Sequence, residues 1–251
     1  MAYVANISND EVAALEAVHF DGRIEVVETA DALARACNQL SKESIIGFDT
    51  ETRPSFKAGV TNKVALMQLS TKDCCYLIRL NKLPLSRELI AILASKTIKK
   101  VGADVRNDLT ALNRLRHFTP NGFIDLQTEV AKYGIEDKSL RKISGIVLGK
   151  KVSKAQRLSN WEAKQLTPQQ QMYAATDAWV CISIYDKLMA TEPTSQNVEI
   201  KTISVQPTIK TKPTKTADNT KQETSKNEYR GKPKRRFRHK REDKPSISTK
   251  I

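Results

Sequence analysis

Polar and apolar positions follow two periods along this chain, and the change from one to the other organises it. Short apolar runs bounded by charge dominate the first half. Residues 23–28, 44–49, 63–70, 75–80 and 97–101 each read as strands. The run Ser44-Ile45-Ile46-Gly47-Phe48-Asp49 is apolar until it meets charge, the mark of a central strand covered on both faces. Helical periods separate and then replace these runs. Residues 8–18 follow Ser8 as N-cap, 29–40 and 86–94 lie between strands, and 104–116 set Leu109, Leu112 and Leu115 near one face. A brief strand at 123–125 leads into helices at 126–133 and 139–148, the latter ended by Gly149. The clearest start is Thr167-Pro168-Gln169-Gln170: Thr167 caps, Pro168 takes the first helical position and Gln170 completes a capping box for a helix to about Met189. Strands early and helices late predict an α/β fold with a mixed central sheet.

After Glu192 no apolar period survives. Residues 193–251 are rich in Thr, Lys, Ser and Pro, and they carry 16 Lys and Arg against 6 Asp and Glu. Such a segment buries too little surface to offset its ordering entropy, so a disordered basic tail is expected after a domain spanning 1–192. Its densest charge is Arg230, Lys232, Lys234, Arg235, Arg236, Arg238, Lys240 and Arg241, with Phe237 among them. Cations interleaved with an aromatic ring suit a nucleic acid strand. Most of the formal charge of +14 lies in this tail.

Cys37, Cys74, Cys75 and Cys181 contain no C-x-x-C and read as reduced, partly buried thiols. No stretch is long and apolar enough to span a bilayer, and the N-terminus lacks the pattern of a signal peptide. The expectation is a soluble cytoplasmic protein, or a nuclear one in a eukaryote, with no membrane partner. Residues of a P-loop are missing, and His19, His117 and His239 sit where no nucleophile pairs with them. No small-molecule cofactor is expected.

Carboxylates carry the chemistry. Asp49 and Glu51 are two apart on a strand and leave one face, as two metal ligands would, or two solvated acids at a strand end. With 13 Asp and 15 Glu, roughly one D-x-E is expected by chance, so the pair needs support. Gly47 before it permits close approach of a backbone or ligand. Tyr173 and Asp177 are four apart on the best-delimited helix and share a face. The same spacing recurs at Tyr133 and Asp137, where Gly134 interrupts the helix and removes the shared face. Asp108 and Asp104 lie a turn apart; by spacing either serves, and Asp104 and Asp125 also fit caps. Acids on a strand and on two later helices, with a phenol, suit a two-metal phosphodiesterase.

Three segments resemble the motifs of the DEDDy 3′–5′ exonuclease superfamily, in its ribonuclease D and Werner-exonuclease branch. They are Ile46-Gly47-Phe48-Asp49-Thr50-Glu51, Lys100 through Leu109, and Leu166 through Ala178. Lys63 through Leu69 and Leu158-Ser159-Asn160-Trp161 add to the match, which covers about residues 20–190. Arg53-Pro54 departs from it where relatives often carry an aromatic residue.

The resemblance implies a ribonuclease H-like mixed sheet flanked by helices. It implies metal ligands Asp49, Glu51, Asp108 rather than Asp104, and Asp177, with Tyr173 orienting the attacking water. Two Mg²⁺ or Mn²⁺ ions and a DNA or RNA 3′ end are the expected cofactors and partner, with nucleoside 5′-monophosphates as product. The competing expectation is a non-catalytic nucleic-acid-binding protein that uses this fold as a scaffold for the tail. The oligomeric state is open.

Overall fold

Six strands and seven α-helices order residues 2–57, 59 and 61–194, the part of the chain that a computed structural model describes. The strands are β1 (Arg23–Val27), β2 (Ile45–Thr52), β3 (Val64–Ser70), β4 (Cys74–Arg79), β5 (Lys99–Gly102) and β6 (Phe123–Asp125). The helices are α1 (Asn9–Ala14), α2 (Ala30–Leu40), α3 (Arg87–Leu93), α4 (Val105–Leu115), α5 (Leu126–Glu129), α6 (Leu140–Leu148) and α7 (Pro168–Met189). The expected tail interface at Arg230, Lys232, Lys234, Arg235, Arg236, Phe237, Arg238, Lys240 and Arg241 lies outside the described residues.

The strands form one mixed sheet in the order β1-β4-β3-β2-β5-β6. β3 runs antiparallel to its neighbours β2 and β4, while β1 joins β4, β5 joins β2 and β6 joins β5, all in parallel. The apolar run at 45–48 therefore sits at the centre, and all seven residues of β3 and all six of β4 are buried. One face packs on α2, α3 and α4 through Leu33, Leu40, Phe48, Leu89 and Leu112. The other is covered by α5, α6 and α7, with Val130, Ile143, Val180 and Ile184 in one cluster and Leu66, Leu77, Trp161 and Ala178 in the next.

Local signals hold at most helix starts. Ser8, Thr29, Ser86, Ser139 and Thr167 each accept a backbone N–H from their own helix, and the boxes at Ser8/Glu11 and Thr167/Gln170 close in both directions. Four expectations change. The first helix stops at Ala14 because Leu15 is extended and Ala17 pairs with Lys151, a long-range bridge that overrides the local period. β5 begins at Lys99, since Ser95 accepts from the N–H groups of Thr97 and Ile98 and turns that segment. The helix expected over 126–133 splits into α5 and a 3-10 turn, Val130–Tyr133. Asp104 stands at the cap position of α4 but does not cap. Its backbone is left-handed at φ 65°, and its carboxylate accepts from the Asn107 amide instead.

Among the described residues no helix is long and apolar enough to cross a membrane. The four cysteines are free and buried.

Candidate active site

One missing side chain brings the acids together. A Cβ on Gly47 would stand 2.0 Å from the Ala178 carbonyl oxygen, so β2 and α7 meet backbone to backbone at this point. Strand alternation then sends Asp49 and Glu51 to the same face as Gly47, towards α7. Asp177 directly precedes Ala178 on the helix, and Tyr173 lies one turn before Asp177. Asp49, Glu51 and Asp177 each offer a carboxylate oxygen, and the three lie within 4.8 Å of one another.

Burial makes this cluster costly to charge. Glu51 is pushed up to about 10, by burial first and then by Asp49, Asp177 and Asp108, with the Arg157 cation pulling partly back. Asp177 rises to about 7 through burial, offset in part by the Tyr173 hydroxyl. Asp49 still meets some solvent, yet its packed surroundings and Asp177 raise it well above the usual carboxylate range. Asp177 Oδ1 is buried without a hydrogen-bond partner. Several acids held apart from any neutralising partner are what a divalent cation would satisfy.

Asp108 arrives from the opposite face. β5 pairs with β2 only from Ile45 to Gly47, so beyond that point this edge of β2 has no strand beside it. α4 reaches over the gap there, and Thr50 Oγ1 donates to Asp108 Oδ1 at 2.5 Å. Burial and the Asp49 carboxyl push Asp108 up to about 8, against that hydrogen bond. On the other edge of β2, the pairing with β3 shifts register between Glu51 and Thr52. Asp104 is exposed and engaged with Asn107, and Asp125 accepts from the N–H groups of Asp104 and Gln127 as a junction cap. Of the two alternatives one turn apart, Asp108 is the one that approaches the cluster.

Tyr173 is wedged by its surroundings. The Trp161 ring lies 6.0 Å from it, centroid to centroid, and the loop carrying Trp161 is tied to α7 by Gln170, which donates to Ser159 Oγ and the Asn160 carbonyl. Burial, then Asp177 and Glu51, raise the phenol, so it stays protonated. Arg53 bridges to Glu162 at 3.2 Å and joins the segment after β2 to this loop. A cavity of about 370 Å³ opens between Val18, Val152, Met172 and α7, with Tyr173 and Asp177 in its wall. Arg157 was not foreseen: an exposed cation in an irregular loop leaves no periodic or motif signal. Thr50 was legible only as the residue between two acids.

The second Tyr-x-x-x-Asp behaves differently. Gly134 ends the turn at φ 76°, and Asp137 accepts from Ile7 N–H and Lys142 Nζ, both at 2.8 Å. His19 and His117 are exposed.

A family model described as "3′-5′ exonuclease" matches residues 24–191. Mouse bifunctional 3′-5′ exonuclease/ATP-dependent helicase WRN is 34% identical over 157 residues, covering 60% of this chain and 11% of that protein. Fruit-fly exonuclease 3′-5′ domain-containing protein 2 is 32% identical over 176 residues, covering 66% of this chain and 30% of that one. The chain thus spans about a tenth to a third of these relatives. Among solved structures, Escherichia coli RNase D, described as an exoribonuclease involved in structured RNA processing, superposes with a TM-score of 0.61 at 27% identity. That match covers 67% of this chain and 44% of RNase D. The Aedes aegypti Nibbler EXO domain superposes equally, at 25% identity over 69% of this chain and 92% of its own.

Proposed function

From the premise that this chain belongs to the DEDDy-type 3′–5′ exonuclease family, we propose that it hydrolyses 3′-terminal phosphodiesters of a nucleic acid strand. It would use two divalent cations, Mg²⁺ or Mn²⁺, and release nucleoside 5′-monophosphates. The observation that carries this reading is the convergence of Asp49, Glu51 and Asp177 within 4.8 Å, with Asp177 Oδ1 buried and unpaired. The donor set is all oxygen, which suits hard cations that keep part of their water.

Asp49 would contribute to holding both cations. Glu51 and Asp177 would help hold one, and Asp108, which accepts from Thr50 Oγ1, would help hold the other. Bound there, the ions would stabilise charge on the entering and leaving oxygens. Tyr173 orients the attacking water through its hydroxyl. A phenol held protonated by burial and by neighbouring acids is a poor base and a good hydrogen-bonding guide. Trp161 keeps that hydroxyl in place by confining the ring. Arg157, whose positive charge is felt at Glu51, is placed to meet the phosphate. The cavity beside Tyr173 and Asp177 is large enough for the parts of one nucleotide. The basic tail, residues 193–251, would hold the strand further from its end.

A non-catalytic binding role would make the strained acids unnecessary, and nothing in their placement favours it. The test is digestion of a 3′-labelled oligonucleotide with Mg²⁺, with Mn²⁺ and with chelator, beside Asp49→Asn. Stepwise loss of 3′ nucleotides that needs both metal and Asp49 supports the reading. Undegraded but bound oligonucleotide under every condition sinks it. Matched DNA and RNA strands in the same assay assign the sugar.

A further inference from the structure

Four buried side-chain polar atoms among the described residues lack a hydrogen-bond partner: Gln68 Nε2 and Oε1, Trp161 Nε1 and Asp177 Oδ1. Gln68 is the one with both ends of its polar group unpaired, and it is 0% exposed. A buried amide with nothing to bond is unfavourable, so its retention at the centre of a sheet asks for a partner that it engages only when the site is loaded.

Its position names that partner. In the antiparallel ladder Gln68 is the Cα partner of Asp49, so the two side chains rise from the same face as direct neighbours. Their Cβ atoms are then about 4.5–5.5 Å apart, and the glutamine side chain is long enough to bring its amide beside the Asp49 carboxyl. The surroundings offer little else. Across the other strand stands Leu77, and on the same face of β3 stand Leu66 and Ser70, whose hydroxyl is spent on the Thr71 carbonyl. Asp108 has Thr50 to orient it and Asp177 has Tyr173 beside it.

We propose that Gln68 is a positioning residue: Gln68 Nε2, unpaired in the metal-free chain, donates to a carboxylate oxygen of Asp49 when cations draw that carboxyl into place, and holds it in the orientation that serves them. The assignment rests on the metal-dependent reading above. A carboxylate shared by two ions must present its oxygens in fixed directions, and a donor behind it sets that direction. Gln68 does not touch substrate or cation in this role.

The test replaces the amide by an apolar side chain of similar length, Gln68→Met, in the full chain. A structural amide and a positioning amide predict opposite results. Without metal, Gln68→Met is expected to melt at the wild-type temperature or above, because two unpaired polar atoms are gone. Its affinity for Mn²⁺, measured by calorimetric titration, is expected to fall about tenfold. kcat is expected to fall by about as much, with KM for the oligonucleotide nearly unchanged. A clear loss of metal-free melting temperature makes Gln68 structural and overturns the proposal. So does wild-type Mn²⁺ affinity in Gln68→Met while Asp49→Asn loses it, and in that case the metal-dependent reading survives. Failure of the wild-type chain itself to bind Mn²⁺ removes both.

Discussion

Tyr133-x-x-x-Asp137 and Tyr173-x-x-x-Asp177 are the same pattern in two settings, and their difference shows what separates a satisfied carboxylate from an unsatisfied one. Asp137 has two donors, the Ile7 N–H and the Lys142 ammonium, and they hold its carboxyl below the usual range despite some burial. Asp177 is buried in the wall of the cavity with one oxygen unpaired, and burial pushes it up to about 7. The first acid is satisfied and fastens the N-terminal segment to the fold. The second keeps an oxygen without a donor. Spacing in sequence is common to both; the environment separates them.

The largest expected contrast comes from neutralising each acid. Asp177→Asn is expected to lose at least about a thousandfold in hydrolysis while melting no lower than wild type without metal. Asp137→Asn is expected to keep its activity and lose roughly 1–2 kcal/mol of stability with its charge-assisted hydrogen bonds. Comparable loss of stability in both would make Asp177 another structural acid. The phenols give the next contrast. Tyr173→Phe is expected to lower kcat by about ten- to a thousandfold with KM nearly unchanged. Tyr133→Phe is expected to leave both alone, and a rise in KM alone for Tyr173→Phe would move that hydroxyl to substrate binding.

Acidity separates the pair more gently. The folded state raises Asp177, so its neutral form favours folding: that contribution is complete below the unfolded carboxylate range and is lost as pH rises through about 7. Asp137 is lowered, so its contribution is present above that range and lost as pH falls through its folded value. The metal-free melting temperature of wild type relative to Asp177→Asn should therefore drop between pH 5 and 8. Mn²⁺ should reverse that trend, since it binds the charged acids. A metal-free difference that does not vary with pH would contradict the burial of Asp177.

The smallest effect on chemistry is expected from removing everything after Glu192. kcat should hold while oligonucleotide binding weakens. If roughly five tail cations engage a single strand, the salt slope of log affinity should flatten by about three to four units. Equal slopes with and without residues 193–251 would take the tail out of binding.

Much of this was readable in the chain. Central burial of β2 followed from its apolar run, and the α7 start followed from Thr167, Pro168 and Gln170, because caps and patterns are local. The Tyr133 copy was separable from Tyr173 by Gly134 alone, whose backbone is left-handed as its place in the pattern demanded. What escaped depends on tertiary placement. Ala17 pairs across the chain with Lys151 and so ends a helix that its own sequence would continue. Asp108 and Asp104 have equivalent spacing, and the early end of β5 decides which approaches Asp49. Arg157 acts on Glu51 from a loop with no periodicity to betray it. Gln68 lies within the family-like stretch from Lys63 to Leu69, yet its place opposite Asp49 depends on a register that only strand pairing defines.

The contact between Gly47 and the Ala178 carbonyl carries a consequence for reading genomes. A single methyl at position 47 would lever α7 off β2 and draw Asp177 away from Asp49 while leaving every acid and the tyrosine in the text. A homologue with all its acids and its tyrosine intact can therefore have its acidic cluster pulled apart, and the disruptive change would be filed as a conservative substitution of one small residue for another.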